Sequence, residues 1–446
     1  MQLSQLKNKQ IAIYGFGQEG QSVYRFLSAH LAVENISILN DTPLNNPPAN
    51  SPCYIADEIE QQLPHFDVVV KSPGVSLYKP SIIAAKKAGV YFTSLVNLWF
   101  AQHPDAVTVC ITGSKGKSTT SSLLTHILRA NGVNAVLGGN VGQALFDLPA
   151  HADVFVIELS SYQTSDLIAQ PSISAILNLF PEHLDWHQSV DNYYRDKCQL
   201  LAQTKKKWLL NANDKTLQQQ IKNLPVADNV HYFNQTTGFH FDQQGIYYQQ
   251  QLLLKKAQTP LLGEHNQSNI CAALALAQLL EYSYHALVSD ITTFCTLKHR
   301  LNFLGKRHHL SYIDDSISTT PQSVVAALKA YSNQTITVLV GGYDRGLDWQ
   351  VLVDYLPQAH VHAVITMPQN GKKIQQCLQN HKQNAKGFLL KNSKNLAQAV
   401  KIAQEITPKG GYILLSPGAP SYGLYNNFKQ RGHAFKQHSG LHDKKQ

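Results

Sequence analysis

The sequence is poor in the features that set a chain apart from ordinary globular enzymes. Cysteine is scarce: Cys53, Cys110, Cys198, Cys271, Cys295 and Cys377 are scattered, and no two form a C-x-x-C pair. That spacing suggests neither a zinc site nor a disulfide framework, and it suits a reducing, cytoplasmic compartment. No apolar run approaches the roughly 18 residues of a membrane span. The opening residues Met1–Gln10 are polar, unlike the apolar core of a signal peptide. Charge is also low, 15% of residues against 43% hydrophobic, which is the balance of a chain with a buried core. The net charge is +9, but basic residues cluster only in short runs, Lys205-Lys206-Lys207 and Lys444-Lys445. No aromatic and basic stripe accompanies them, so nucleic acid is not an expected partner. A dispersed positive field suits recruitment of nucleotides and carboxylates instead. Solenoid repeats are absent.

What is present is a threefold succession of strand–helix units, and 446 residues suffice for about three domains. An α/β fold is expected. The first segment opens at Ile11–Tyr14, continues through Ile36–Leu39 and Val68–Val70, and fades near Val96–Trp99. Asn45–Pro52 reads as a surface loop. The second opens on the β-branched run Val107–Thr112, typical of a buried parallel strand. A glycine turn follows, then a helix with Leu123, Leu124, Ile127 and Leu128 on one face. Asn131-Gly132 ends that helix, both residues being tolerant of left-handed backbone. Further strands are expected at Val154–Leu159, Ile173–Leu179 and Trp208–Asn211. The Tyr- and Gln-rich stretch His231–Leu254 reads as a small antiparallel patch, and a helix is expected at Ser268–Leu280. The third segment begins near His299, with strands at Leu310–Ile313, Ile336–Val340, Val361–Ile365 and Tyr412–Leu415. Pro321 suits a first helical turn, and residues from about His438 read as a solvated tail. The expected domains are 1–97, 98–298 and 299–446.

The sharpest local signal is Gly113-Ser114-Lys115-Gly116-Lys117-Ser118-Thr119, set between a buried strand and an amphipathic helix. Glycines let backbone N–H groups approach a phosphate, and the helix N-terminus favours negative charge. Lys117 would meet the β- and γ-phosphates and Ser118 would ligate Mg²⁺. The loop is shorter than the common P-loop, which requires a glycine where Ile111 stands.

With Thr112 before it, this short form resembles the ATP loop of the Mur ligase and folylpolyglutamate synthase superfamily. Glu158-Leu159-Ser160-Ser161-Tyr162-Gln163 resembles that family's E-L-S-S-F-Q, whose glutamate binds Mg²⁺. Asn178-Leu179-Phe180-Pro181-Glu182-His183-Leu184-Asp185-Trp186-His187 resembles N-x-x-P-D-H-L-D-R-H, with Glu182 and Trp186 departing from it. The match implies a metal or substrate role for His183. Lys197 falls where the family carries a carbamylated lysine, a group able to help hold a second Mg²⁺. Gly263-Glu264-His265-Asn266 with Asn269 resembles G-x-H-N-x-x-N, placing Asn266 at the adenine. By the same resemblance Arg300 reaches the ATP phosphates and Asp315 the ribose. These matches run in order from about residue 107 to 320.

Read alone, Gly15-Phe16-Gly17-Gln18-Glu19-Gly20 after a strand, with Asp41 about twenty residues on, suggests a dinucleotide. The segment also resembles the UDP-binding domain of the MurD-type ligases, a domain that folylpolyglutamate synthases lack. That resemblance assigns Gly17, Asp41-Thr42, Gly74 (in Ser72-Pro73-Gly74-Val75) and Asn140 (in Gly138-Gly139-Asn140-Val141-Gly142) to a UDP-muramoyl substrate. Glu19 replaces the usual hydroxyl residue, and a carboxylate beside a diphosphate is unfavourable unless it points away.

Ser416-Pro417-Gly418-Ala419-Pro420-Ser421, with Phe428 and Arg431-Gly432, resembles the family's amino-acid-reading segment. Thr319, Arg345, Ser421 and Phe428 are thereby assigned to glutamate. Asp315-Ser316-Ile317-Ser318-Thr319-Thr320 departs from the usual D-S-K-A-T-N, and Arg345 replaces a lysine. Arginine can clamp a carboxylate bidentately where lysine cannot. The combination resembles the variant MurD branch that adds L-glutamate; the ordinary D-glutamate branch stays open, as does a folylpolyglutamate-synthase-like ligase. The resemblance implies a Rossmann-like first domain, a central ATPase domain with a mostly parallel sheet, and a Rossmann-like third domain. It implies ATP and Mg²⁺ as cofactors, catalysis by Lys117, His183, Lys197 and Arg300, and metal binding by Ser118, Glu158, His183 and Lys197. UDP-N-acetylmuramoyl-L-alanine and glutamate would be the substrates of a monomeric, cytoplasmic enzyme. Closure of the third domain would bring Arg345 and Ser421 to the reaction.

Overall fold

The computed structural model describes residues 1–44, 46–203, 207–222, 224, 229–261, 263–294, 298–381 and 387–441. Asn45, Lys205, Lys206, Cys295, Lys444 and Lys445 lie outside them. Two compact units are formed, Met1–Thr259 with His265–Phe294, and Pro260–Glu264 with Cys295–Gln446. No helix among the described residues is long and apolar enough to cross a membrane.

The first unit contains a five-stranded parallel sheet of β1 (Ile11–Tyr14), β2 (Ile36–Asn40), β3 (Cys53–Ile55), β4 (Val68–Lys71) and β5 (Tyr91–Ser94), in the order β3-β2-β1-β4-β5. Every residue of β1 and β4 is buried, which is why these strands read as unbroken apolar runs instead of alternating. Its helices are α1 (Gln18–Ser28), α2 (Glu58–Gln62), α3 (Pro80–Lys87) and α4 (Leu95–Gln102). The stretch where the first segment faded is α4, started by the Ser94 hydroxyl accepting from Asn97 N–H. Its Val96 and Trp99 join Ile11, Leu27, Cys110, Phe155 and Ile157 in one apolar cluster. The first two sheets thus share a core, and the expected division at residues 97 and 98 falls inside α4.

The central sheet is β6 (Thr108–Thr112), β7 (Ala135–Gly139), β8 (Val154–Glu158), β9 (Ile173–Ile176), β10 (Lys207–Asn211) and β11 (Asn229–Phe233), in the order β11-β10-β9-β6-β8-β7. All its pairings are parallel, and β6 lies between β8 and β9. Around it run α5 (Lys117–Ala130), α6 (Ser161–Thr164), α7 (Leu184–His187), α8 (Val190–Gln203), α9 (Lys215–Ile221), α10 (Glu264–Leu279) and α11 (Tyr284–Ile291). At the end of α5 only Gly132 is left-handed, with φ 80°. Asn131 keeps φ −99° and instead donates its side-chain amide to Ile127 O and Asp290 Oδ2. The antiparallel patch is β12 (Phe239–Phe241), β13 (Gly245–Tyr248) and β14 (Gln251–Lys255). His231–Phe233, expected within it, instead extends the central sheet through β11.

The second unit holds a sheet of β15 (Asn302–Arg307), β16 (Leu310–Asp314), β17 (Ile336–Val340), β18 (Val361–Thr366), β19 (Leu389–Asn392) and β20 (Tyr412–Leu415). The order is β15-β16-β20-β17-β18-β19, with only the edge strand β15 antiparallel. Helices α12 (Pro321–Ala330), α13 (Gln350–Tyr355), α14 (Gly371–His381), α15 (Leu396–Ile406) and α16 (Phe428–His438) accompany it. Pro321 is in the first turn of α12, where its missing N–H costs nothing. The expected tail is held further than its polarity suggests. Ser439 is buried with its hydroxyl donating to Phe435 O, and Leu441 packs on the core around Phe435.

Candidate active site

The turn after β6 is fastened from two sides. Ser114 N–H donates to Asn178 O (3.0 Å) and Lys115 N–H to Asn178 Oδ1 (2.8 Å). Ser114 Oγ is hydrogen-bonded to Phe180 O and to the Tyr193 hydroxyl, at 2.8 and 2.7 Å. Lys115 pairs with Glu182. Lys117 opens α5, and its ammonium donates to Gly113 O (2.9 Å) and Ser114 O (3.2 Å). Ser118 is half-buried in the same first turn, and Thr119 is buried. Gly116 has φ 89°, and a Cβ there would overlap the Asn269 amide. Asn269 in turn donates to Asn266 Oδ1 at 3.1 Å, so the start of α10 abuts the turn after β6. Gly116→Ala is therefore expected to strain the backbone by about 1–2 kcal/mol and to collide with Asn269. The measurable result is a lower melting temperature together with weakened ATP binding; a variant that melts and binds ATP like wild type contradicts this account of the turn.

Around the turn lies a group of titratable side chains that the sequence motifs named separately. Glu158 is wholly buried at the C-terminal end of β8 and is no surface charge. Its Oε1 accepts from Asn140 Nδ2 at 2.6 Å, while Oε2 has no hydrogen-bond partner among the described residues. Lys197 is equally buried, donating to Thr112 Oγ1 (3.3 Å) and Gly113 O (3.1 Å). Burial, and next the nearby Lys117 ammonium, hold its pKa well below the lysine range, against the opposing pull of Glu182 and Glu158. His183 sits at φ 56° with its ring 5.1 Å from that of Tyr162. The residue as a whole is exposed. Desolvation chiefly, opposed by Glu182 and aided by Lys117, Lys115 and Lys197, lowers its pKa to about 4. The imidazole is therefore neutral near pH 7 and able to ligate a metal.

These donors fit Mg²⁺ on one specific ground, the unpartnered buried oxygen of Glu158, since hard cations take oxygen ligands. Among the described residues no group of three or more His, Cys, Asp or Glu gathers to hold a metal. The hydroxyl of Ser118 and phosphate oxygens would have to complete the set with Glu158, His183 and Lys197.

Three further side chains were given no role by the sequence, although Asn178 and His187 begin and end one of its motifs. Asn178 and Tyr193 brace the turn as described. His187 is wholly buried, with Nδ1 2.6 Å from Asp196 Oδ2 and Nε2 2.9 Å from Ser161 Oγ. Asp196 also accepts from the Tyr78 hydroxyl at 2.9 Å, and Ser76 Oγ donates to Trp186 O at 2.9 Å. This Ser–His–Asp array ties the loop after β4 to α7 and α8. Trp186, standing where the family pattern has arginine, is buried with its ring 4.8 Å from Tyr162 and 6.0 Å from Tyr78. Partners separated by 118 residues leave no local signature.

Five residues assigned to the sugar nucleotide share one cleft. Gly17, Asp41, Thr42, Gly74 and Asn140 all line an open space of about 1050 Å³. Asp41 accepts from the Tyr14 hydroxyl (3.0 Å) and pairs with Lys79 (3.1 Å), and Thr42 O accepts from Asn40 Nδ2 at 2.6 Å. Glu19 also lines this cleft, its Oε1 accepting from Gln163 Nε2 at 2.6 Å. Burial raises its pKa to about 7, partly offset by Lys71 and Gln163 and reinforced by Asp166. The folded state thus binds more protons at Glu19 than the unfolded state between about pH 4.5 and 7, so this group's contribution to stability falls as pH rises through that window. Glu19→Gln is expected to stabilise the protein at pH 8 by on the order of 1–3 kcal/mol and by little at pH 5. Thermal melts at the two pH values check this; an equal shift at both contradicts it.

In the second unit Asp315 is buried, accepting from Ser416 Oγ (2.8 Å) and Leu301 N–H (3.2 Å). Burial raises its pKa to about 7, with the Ser416 hydrogen bond and the Arg300 charge acting against it. Ser421 lines an open cavity; Thr319, Arg345 and Phe428 do not. Thr319 is half-buried just before the α12 cap. The Arg345 guanidinium lies 5.7 Å from the centroid of the Tyr422 ring, which does line the cavity. The Phe428 ring packs 6.0 Å from His299.

Comparison with known proteins bears on these sites. Residues 111–277 match the Mur ligase middle domain, and residues 9–94 match the N-terminal domain of MurD-like Mur ligases. A UDP-N-acetylmuramoyl-L-alanine–L-glutamate ligase of Xanthomonas campestris pv. campestris (strain 8004) is 40% identical, the alignment covering 99% of this chain and 97% of that one. Among solved structures, the UDP-N-acetylmuramate–alanine ligase MurC of Thermotoga maritima superposes with a TM-score of 0.61 at 17% identity, over 96% of this chain and 99% of that one. The MurF ligase of Thermotoga maritima, solved with ADP, gives a TM-score of 0.58 at 14% identity over 98% and 95%.

Proposed function

The chain belongs to the Mur ligase family, as a MurD-type ATP-dependent amide-bond ligase, and on that premise we propose that it joins L-glutamate to UDP-N-acetylmuramoyl-L-alanine through an acyl phosphate. The observation that carries this reading is the 2.6 Å hydrogen bond from Asn140 to Glu158. Asn140 lines the cleft of Gly17, Asp41, Thr42 and Gly74, while Glu158 belongs to the charged group around the phosphate turn. A sugar nucleotide in the cleft thereby presents its far end toward the terminal phosphate of ATP. A dinucleotide in the same cleft would give the adjoining ATP turn nothing to phosphorylate.

In the first step an oxygen of the alanine carboxylate attacks the γ-phosphorus, the bond to the β-phosphate oxygen breaks, and ADP leaves. Lys117 holds positive charge against the transferring group, with Arg300 of the second unit in the same role by the family pattern. Asp315 is the proposed ribose ligand and Asn266 the adenine ligand. In the second step the neutral amine of glutamate attacks the acyl carbon, the C–O bond to phosphate breaks, and the amine proton is lost to solvent or phosphate. Mg²⁺, held by Ser118, Glu158, His183 and carbamylated Lys197, would supply charge neutralisation at the phosphates. The neutral imidazole of His183 suits metal ligation, and the lowered pKa of the uncarbamylated Lys197 amine favours carbamate formation. Thr319, Arg345, Ser421 and Phe428 are the proposed glutamate ligands.

The L enantiomer is favoured by the named activity of the Xanthomonas relative and by Ile317 and Arg345 standing where the ordinary branch has lysines. ADP release should require ATP, UDP-N-acetylmuramoyl-L-alanine and L-glutamate together. Supplying each glutamate enantiomer separately tests the assignment: a preference for D-glutamate reverses the stereochemical reading alone, and ATP hydrolysis indifferent to both substrates removes the ligase reaction.

A further inference from the structure

The cavity beside Ser421 is lined almost entirely by loops leaving the carboxyl ends of β17, β18, β19 and β20, the edge at which open α/β sheets bind ligands. Its polar groups are basic or neutral: Lys394, Ser421 and Arg431 line it, with Met367, Leu396 and Tyr425 as apolar wall, and no carboxylate does. Lys394 precedes Asn395, the cap of the eleven-residue helix α15, so the positive end of that helix faces the same space. The Lys394 ammonium has no ion-pair or hydrogen-bond partner among the described residues. Arg431 is 2% exposed; its terminal nitrogens donate to Ala419 O and Ser316 O, while Nε has no partner. A cation-lined pocket with a buried orphan donor and a short apolar wall matches a carboxylate on an aliphatic stem.

Building on the glutamate-adding reading above, we infer that this cavity receives the side-chain carboxylate of the incoming amino acid and that Lys394 is the residue selecting a dicarboxylic substrate. The methylenes of glutamate lie against Met367, Leu396 and Tyr425, and Lys394 closes the charge at the rim. Glutamine fits the same volume but leaves the ammonium without a counter-charge.

The test measures ADP release by the full-length protein with ATP, UDP-N-acetylmuramoyl-L-alanine and the preferred glutamate enantiomer each varied in turn at saturating levels of the other two, for wild type, Lys394→Met and Lys394→Arg. A charge-assisted hydrogen bond predicts a roughly 10- to 100-fold rise in KM for glutamate in Lys394→Met, with the KM for ATP unchanged and the glutamate-over-glutamine preference reduced by a similar factor. Lys394→Arg should recover most of both. A merely structural role would lower the melting temperature and move all three KM values together, without changing the preference over glutamine, and that result overturns the inference. So does wild-type KM and preference in Lys394→Met while the wild type uses glutamate, leaving the ligase reading intact. Should the wild type couple a different amino acid and refuse glutamate, the glutamate reading fails first and the inference with it.

Discussion

Lys117→Ala is expected to lower kcat for ADP release by about 10³-fold or more while leaving the fold intact. The size follows from the number of duties the side chain has in a phosphoryl transfer, where the protein contributes mainly position and charge; losing a single preorganised donor at a developing charge already costs about 10²–10³ in kcat. The fold should survive because the turn does not depend on this side chain. Ser114 and Lys115 are held through their backbone by Asn178, and Ser114 is held again by Phe180 and Tyr193. The Lys117 ammonium rests on Gly113 O and Ser114 O, carbonyls of the turn itself, ready to exchange them for phosphate oxygens. The measurements are steady-state ADP release, ATP affinity by calorimetry and the melting temperature. Turnover within tenfold of wild type would falsify the assignment of the reaction to this turn. Weakened ATP affinity with no turnover to lose in the wild type would indicate a nucleotide binder instead of an enzyme.

The second large effect is expected at Lys197. A lysine that is 1% exposed and beside another ammonium is an unusual choice for a core position, and nothing in the packing of α8 demands an amine there. Methionine has comparable length and no charge, so Lys197→Met keeps the volume. The acceptors left behind keep other uses: Gly113 O still receives Lys117, and Thr112 Oγ1 still donates to Leu159 O. A structural role therefore predicts a small change in turnover. The proposed role, a carbamate formed on this amine and used as an anion near the phosphates, predicts a fall of about 10³-fold in kcat, comparable to removing another preorganised charge from the site. It also predicts that wild-type activity declines after exhaustive removal of carbon dioxide and returns with bicarbonate, a response that Lys197→Met lacks. Near-normal turnover in Lys197→Met, or wild-type activity indifferent to bicarbonate, removes the carbamate from the proposal.

Glu158 shows how a motif and its environment divide the information. Its position after Val154–Ile157 marks it as the end of a buried strand, and the sequence gives it a candidate metal role. What separates that role from a surface carboxylate is complete burial with one oxygen paired to Asn140 and the other unpaired. Asn140 is 18 residues away in sequence, on the loop after the neighbouring strand, and no periodicity predicts that contact. Glu19 makes the same point with a different outcome. A carboxylate in a diphosphate turn looked unfavourable from local sequence. The structure supplies Gln163, on α6 and 144 residues away in sequence, as donor, and a desolvated setting that favours the protonated acid. The proposed glutamate site is the least legible in the sequence. Its sequence candidates disperse, only Ser421 lines the cavity, and Lys394 follows an edge strand that carries no motif.

The sequence by itself determined the α/β class, the parallel strands and the turn at Gly113–Thr119. These depend on short-range facts: unbroken apolar runs needed by doubly covered strands, and glycines needed where backbone must approach a phosphate. It also supplied the order of motifs that places the chain among the Mur ligases. Only the tertiary structure decided which charges are neutralised by burial, which of the named residues share a cleft, and that the first two sheets grow from one core across α4. Desolvation and long-range pairing depend on what the rest of the chain removes from water around each group, a property of the packed fold that no window of sequence contains.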